Sequence, residues 1–94
     1  MNQKGSRTIS PITSEQLKAA RALVSWSQTQ LAQRAEMSLP TVKRVEAGKG
    51  PRVSQEARLR LQRTLESGGV EFIDENGGGP GVRLRKRQRP KQPK

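Results

Sequence analysis

The stretch SQTQLAQRAEMSLPTVKRVE, Ser27 to Glu46, decides the fold. Ser27 is a favoured N-cap for a helix Gln28–Ala35, and Ser38 is another for a helix from Leu39 to about Ala47. Glu36 and Met37 form the turn between them. Leu31 and Ala35 lie four apart on the first helix, and Val42 and Val45 three apart on the second, so each helix has one apolar stripe. Ala32 is small where two backbones must approach, and Met37 plugs the turn. Such a pair packs at a steep angle through a short connection, which is the helix-turn-helix unit. Pro40 is tolerated because it falls in the first turn, where backbone N–H groups have no intrahelical partner. Gly48 stops the helix. Leu39, Pro40, Lys43 and Arg44 then lie opposite Val42 and Val45, with 39/43 and 40/44 each one turn apart.

Outward from this unit the chain yields two more helices. Thr13 or Ser14 caps a helix to about Val24, with Glu15 at its positive end and Leu17, Ala20, Leu23 and Val24 at helical spacing. Ser25, Trp26 and Ser27 break it. Residues 49–53 are a loop with Gly50 and Pro51. Ser54 caps a fourth helix ending near Ser67, with Ala57, Leu61 and Leu65 on one face. Gly68 and Gly69 stop that helix. Val70 to Ile73 reads as a strand, and Val82 to Arg85, alternating apolar and basic, as a second. A wide glycine loop at 76–81 joins them. The fold class is therefore mostly α: a compact four-helix domain over 12–67, a β-hairpin-like segment over 68–85, a disordered arm at 1–11 and a disordered basic tail at 86–94. The apolar residues of 70–85 either cover the base of the helices or pair with the same segment of a second chain. An exposed strand edge seeks a partner, which favours dimerisation.

Composition bounds the chemistry. The chain has 94 residues, only two of them aromatic (Trp26 and Phe72), so the core is small and aliphatic. There is no cysteine and no histidine, which removes disulfides, the usual zinc sites and Ser-His-Asp triads. Glu15, Glu36, Glu46, Glu56 and Glu66 are scattered over helices, with no paired acid and base. An enzyme is not expected, nor a cofactor, metal or small-molecule ligand. The glycines at 48–50 and 77–79 lack the order a phosphate-binding loop requires. No apolar run is long enough for a membrane span or a signal-peptide core, so the expectation is a cytoplasmic protein. The net charge is +11, and seven of the nineteen bases fall in residues 76–94, where there is no acid. That balance favours a polyanionic partner, because each neutralised phosphate releases counterions.

The ordered signals Gln28-x-x-Leu31-Ala32-x-x-Ala35 and Ser38-x-x-x-Val42-x-x-Val45-Glu46-x-Gly48-Lys49 resemble those of the lambda- and 434-repressor/Cro-like, or XRE-type, helix-turn-helix family. The resemblance covers about residues 14–67. It implies a double-stranded DNA partner, a homodimer on a two-fold operator, a repressor or regulator role and a nucleoid-associated location. It puts Leu39, Pro40, Lys43 and Arg44 at the base-reading positions. Gln28 would contact a phosphate and buttress the recognition helix, and Ser38 and Thr41 would be neighbours able to reach phosphate or base edges. Arg21 would pair with Glu46. Two departures stand out: Glu36 occupies a turn position where the family prefers glycine, and 70–85 replaces the usual fifth helix.

Elementary chemistry agrees at the outer face. Arg44 can fork to guanine O6 and N7, Lys43 can do the same or hold a phosphate, and Leu39 and Pro40 can pack on thymine methyls. Lys49 and Arg52, in the loop beyond, suit backbone phosphates. Trp26 reads as a core anchor at the helix junction, not a stacking platform. The tail reads as a DNA arm, a non-specific tether or a solubilising end. Other readings stay open: an antitoxin, an excision or phage-switch factor, a bridging protein, or a basic RNA-binding protein.

Overall fold

The computed structural model describes residues 12–48, 54–74 and 77–85. Within them the chain forms α1 (Ser14–Val24), α2 (Gln28–Ala35), α3 (Leu39–Ala47) and α4 (Gln55–Ser67), followed by β1 (Val70–Ile73) and β2 (Gly81–Leu84). The arm at 1–11, the loop at 49–53 with Lys49 and Arg52, and the tail at 86–94 lie outside the described residues, as do residues 75 and 76 of the glycine loop.

Each helix starts on a hydroxyl. Thr13, Ser27, Ser38 and Ser54 accept from the backbone N–H of Gln16, Gln30, Thr41 and Ala57, respectively. A cap of this kind is worth about 1 kcal/mol. Thr13 rather than Ser14 caps α1, and its glutamine at the third position completes a capping box: Thr13 N–H donates to Gln16 Oε1 at 2.8 Å. Ser27 and Gln30 form the same device on α2. Three helices end on a left-handed residue: Ser25 at φ 59°, Glu36 at φ 58° and Gly48 at φ 66°. At Gly48 a side chain would also collide with Ser14 Oγ, 2.8 Å from the position of an added Cβ.

The helices close on a single aliphatic core. Leu17, Leu31, Val42, Leu61 and Leu65 are fully buried there, one or two from each helix, and β1 adds Val70. Burying one such side chain contributes about 1.5–3 kcal/mol. Trp26, Met37 and Phe72 pack against the margin of this core, so the tryptophan is the anchor expected of it.

The hairpin is antiparallel, with Val70 opposite Leu84, Glu71 opposite Arg83, Phe72 opposite Val82 and Ile73 opposite Gly81. The second strand thus begins one residue earlier than its alternation suggested, because Gly81 pairs with Ile73. The apolar face of the hairpin lies on its own helices. Val70 is in the core, and Phe72 and Val82 pack against it. That face is therefore largely used in cis, with Leu84 left 52% exposed. Gln16 holds the arrangement: it is 6% exposed, and its Nε2 donates to Ile73 O and Gly81 O at 3.3 and 3.0 Å. Leu23, expected on the apolar face of α1, is instead 39% exposed, since the inner stripe is completed by Leu17 and Ala20.

Candidate nucleic-acid interface

Helix α3 has two unlike sides, and the sequence period alone produces them. Val42 and Val45 are 0% and 1% exposed, whereas Lys43 and Arg44 between them are exposed. Pro40 is exposed and Leu39 half-buried, so all four candidate reading residues line the outer side, Leu39 at its margin. The one acid of this helix, Glu46, is 3% exposed and turned inward. The outward side of α3 thus carries cations and no carboxylate.

Glu46 is neutralised where it is buried. Arg21 Nε donates to Glu46 Oε2 at 2.8 Å and Arg21 Nη2 to Oε1 at 3.0 Å. Gln28 Nε2 donates to the same Oε1 at 3.0 Å. Arg21 Nη1 also donates to Trp26 O at 3.1 Å. One carboxylate therefore joins α1, the first residue of α2 and the end of α3, and the Arg21 guanidinium ties in the α1–α2 link. Ser14 Oγ adds a second tie, donating to Val45 O at 2.9 Å. Planar, bidentate pairing of this kind fixes orientation as well as adding energy. The pairing of Arg21 with Glu46 and the buttressing by Gln28 are both present.

The candidate backbone contacts divide. Ser38 Oγ is within 2.8 Å of Thr41 Oγ1 and also accepts from Thr41 N–H, so both hydroxyls sit together at the start of α3. Gln28 lies at the start of α2, with one amide hydrogen used on Glu46 and its other polar capacity left over. Lys49 and Arg52 lie outside the described residues. The turn between the helices has Glu36 in the left-handed region, and Met37 N–H donates to Ala32 O at 2.9 Å. A glutamate at that φ costs on the order of 1 kcal/mol, yet the turn keeps its form.

A family model described as a helix-turn-helix domain matches residues 14–72. The chain belongs to the helix-turn-helix domain family. Such a domain occurs in XRE-like regulators, in agreement with the resemblance carried by residues 28–49, and it suggests a DNA-binding regulator of a typically non-enzymatic family. The match runs past α4 into β1. No curated protein matches the chain. Among the described residues, no helix of the domain is long and apolar enough to cross a membrane.

Three contacts of this domain escaped the reading of the sequence. The capping-box spacing Thr13-x-x-Gln16 announces the bond of Gln16 Oε1 to Thr13 N–H, but nothing local announced the hold of its Nε2 on the hairpin. Nothing local announced the bond from Ser14 to Val45. Arg34 stacks over Trp26 with its guanidinium carbon 4.2 Å from the ring centroid, a cation–π contact between residues eight apart.

Proposed function

We propose that this protein is a sequence-specific transcriptional regulator, acting as a repressor, that lays α3 in the major groove of duplex DNA. The observation that carries this reading is the division of α3: Val42 and Val45 buried, Lys43 and Arg44 outward, its acid buried and paired. Arg44 reads guanine through its fork, Lys43 reads guanine or holds a phosphate, and Leu39 and Pro40 meet thymine methyls. Gln28, Ser38, Thr41, Lys49 and Arg52 hold the phosphate backbone and set the register. Two copies occupy half-sites about 34 Å apart, one helical turn. With most of the apolar face of the hairpin used in cis, little of 70–85 is left for contact between copies. The protein works in the cytoplasm at the nucleoid, and residues 86–94 add sequence-independent attraction to phosphate.

Selection from a random-site duplex pool tests the reading. A short consensus is expected from the wild-type chain. Arg44→Ala should relax preference at particular base pairs, by about 1–3 kcal/mol at the position read. Deleting residues 86–94 should weaken all sequences alike and lower the salt slope. Enrichment of no duplex consensus, with Arg44→Ala no worse than any other lost charge, would point instead to a bridging or RNA-binding protein.

A further inference from the structure

The outer edge of β2 is an open main-chain edge beside an apolar groove. Arg85 N–H donates to Gly69 O at 2.7 Å, one step beyond the pair Val70–Leu84. Bonded and non-bonded pairs alternate along an antiparallel ladder. The bonded pairs are therefore Glu71–Arg83 and Ile73–Gly81, and Val82 and Leu84 send their N–H and C=O groups outward. Among the described residues no side chain or loop takes up those four groups. Alongside runs a groove of about 400 Å³ between Glu15, Gln16 and Ala19 of α1 and Pro80, Gly81 and Val82. Its line is continued by Leu23, one turn beyond Ala19, and by Leu84, on the same strand face as Val82. These two are 39% and 52% exposed, and with Leu59 they are the large apolar residues left exposed among the described ones.

Charge selects the occupant. The face of β2 turned away from α1 carries Arg83, 65% exposed and paired through Nε with the exposed Glu71 across the hairpin at 2.9 Å, and Arg85, which donates to Glu66 O at 3.2 Å. An exposed pair of this kind is worth little and leaves guanidinium N–H groups of Arg83 over. The next nine residues hold five more bases and no acid. A second copy fits poorly. The symmetric antiparallel registers that use the outward groups of 82 and 84 place Arg83 against Arg83, or Arg83 against Arg85, or else set Leu84 opposite Pro80, which has no N–H. Like charges directly opposite are destabilising. Duplex DNA would answer the cations but not the strand edge or the groove. We propose that the β2 edge and the α1 groove dock an extended acidic segment of a partner protein, which adds as a third strand antiparallel to β2. Its alternate residues are apolar, facing Ala19, Leu23, Val82 and Leu84. The residues between them are acidic, facing Arg83 and Arg85, away from Glu15. Main-chain bonds supply the affinity and the alternation supplies the specificity.

The test uses the full chain and fluorescein-labelled octapeptides read by anisotropy. Four Val-Glu repeats should bind saturably, at least tenfold tighter than four Val-Lys repeats or four Ser-Glu repeats. Leu84→Pro removes one outward N–H and no ladder bond, at an edge where proline is tolerated, and should weaken the Val-Glu peptide at least tenfold. Unchanged amide resonances of Glu71 and Ile73, across the ladder on β1, establish that the hairpin persists. Arg83→Gln with Arg85→Gln leaves the strand ladder alone, removing the exposed Arg83–Glu71 pair and the Arg85 bond to Glu66 O, and should erase the preference for glutamate over lysine. Neither variant should alter the consensus recovered from the duplex pool, so failure here and failure of the DNA reading are separable. Three results would overturn the proposal. One is equal binding of the Val-Glu and Ser-Glu peptides, and another is no binding. The third is self-association in sedimentation that Leu84→Pro abolishes and the peptide does not compete.

Discussion

Removing Arg21 should cost more than removing any other cation of this domain, because of what it leaves behind. Glu46 is 3% exposed and accepts three hydrogen bonds, two from Arg21 and one from Gln28. In Arg21→Ala the carboxylate keeps only the Gln28 amide. Breaking a fully buried pair costs about 3–5 kcal/mol, since one charge stays buried without its partner. Arg21 itself is 24% exposed, so solvent screens part of the pair, and the expectation falls to about 2–3 kcal/mol. About 1 kcal/mol of that comes from the lost bond to Trp26 O and does not belong to the ion pair. A double-mutant cycle with Glu46→Ala separates the two and should return a coupling of about 1–2 kcal/mol. Replacing both at once by apolar residues, Arg21→Met with Glu46→Leu, should recover most of the loss. Urea unfolding followed by helical circular dichroism measures each variant. The fluorescence of Trp26, the sole tryptophan, gives a second probe of the same transition. A domain of this size has about 4–10 kcal/mol of stability, so the effect is large on that scale. A loss under about 0.5 kcal/mol in Arg21→Ala, or a coupling of zero, would refute the buried-clamp reasoning.

Two further substitutions test the backbone and the tryptophan. Glu36→Gly should stabilise the domain by about 0.5 kcal/mol, seen as a raised urea midpoint at unchanged slope. Relief of the left-handed strain at φ 58° exceeds the added freedom of the unfolded glycine. A lowered midpoint would contradict that balance. Gly68→Ala should cost about 1–3 kcal/mol, because the new methyl falls 2.6 and 2.9 Å from two ring carbons of Trp26. The ring must turn out of its contact with Arg34, so the emission of Trp26 should shift as well. Wild-type stability with unchanged emission would show that this packing is looser than described.

The helices were legible because their signals are local. Hydroxyl caps, a left-handed stop and apolar residues at spacings of three and four fix a helix without reference to the rest of the chain, and all four appeared where those signals lie. The outward side of α3 followed from the same period, since burying Val42 and Val45 turns Lys43 and Arg44 outward. The pair Arg21–Glu46 was legible only through family resemblance, because its partners are 25 residues apart and no spacing rule joins them. The hairpin was legible as strands but not as to what it covers. Its alternation leaves Val70, Phe72, Val82 and Leu84 apolar whichever chain they meet. What decides is Gln16, a polar residue that a hydrophobic pattern scores as surface and that the fold buries beneath two strand carbonyls.

The geometry of α1 keeps the two proposed surfaces apart. Ser14 and Arg21 are seven residues apart, two turns, so they share one flank, and both bind the C-terminal end of α3. Gln16, Ala19 and Leu23 are spaced by three and four and form the opposite flank, along which the hairpin lies. Leu17 and Ala20 fill the core between the flanks. One eleven-residue helix thus fixes the orientation of α3 on one side and carries β2 on the other. A strand added to the β2 edge would enter along the flank that α3 does not use. Lys43 and Arg44 would stay exposed while it is bound. Simultaneous occupancy of both surfaces is the physical requirement for a regulator recruited to, or controlled by, an acidic partner while it rests on DNA. The same requirement makes a charge change at Arg83 and Arg85 separable from one at Lys43 and Arg44.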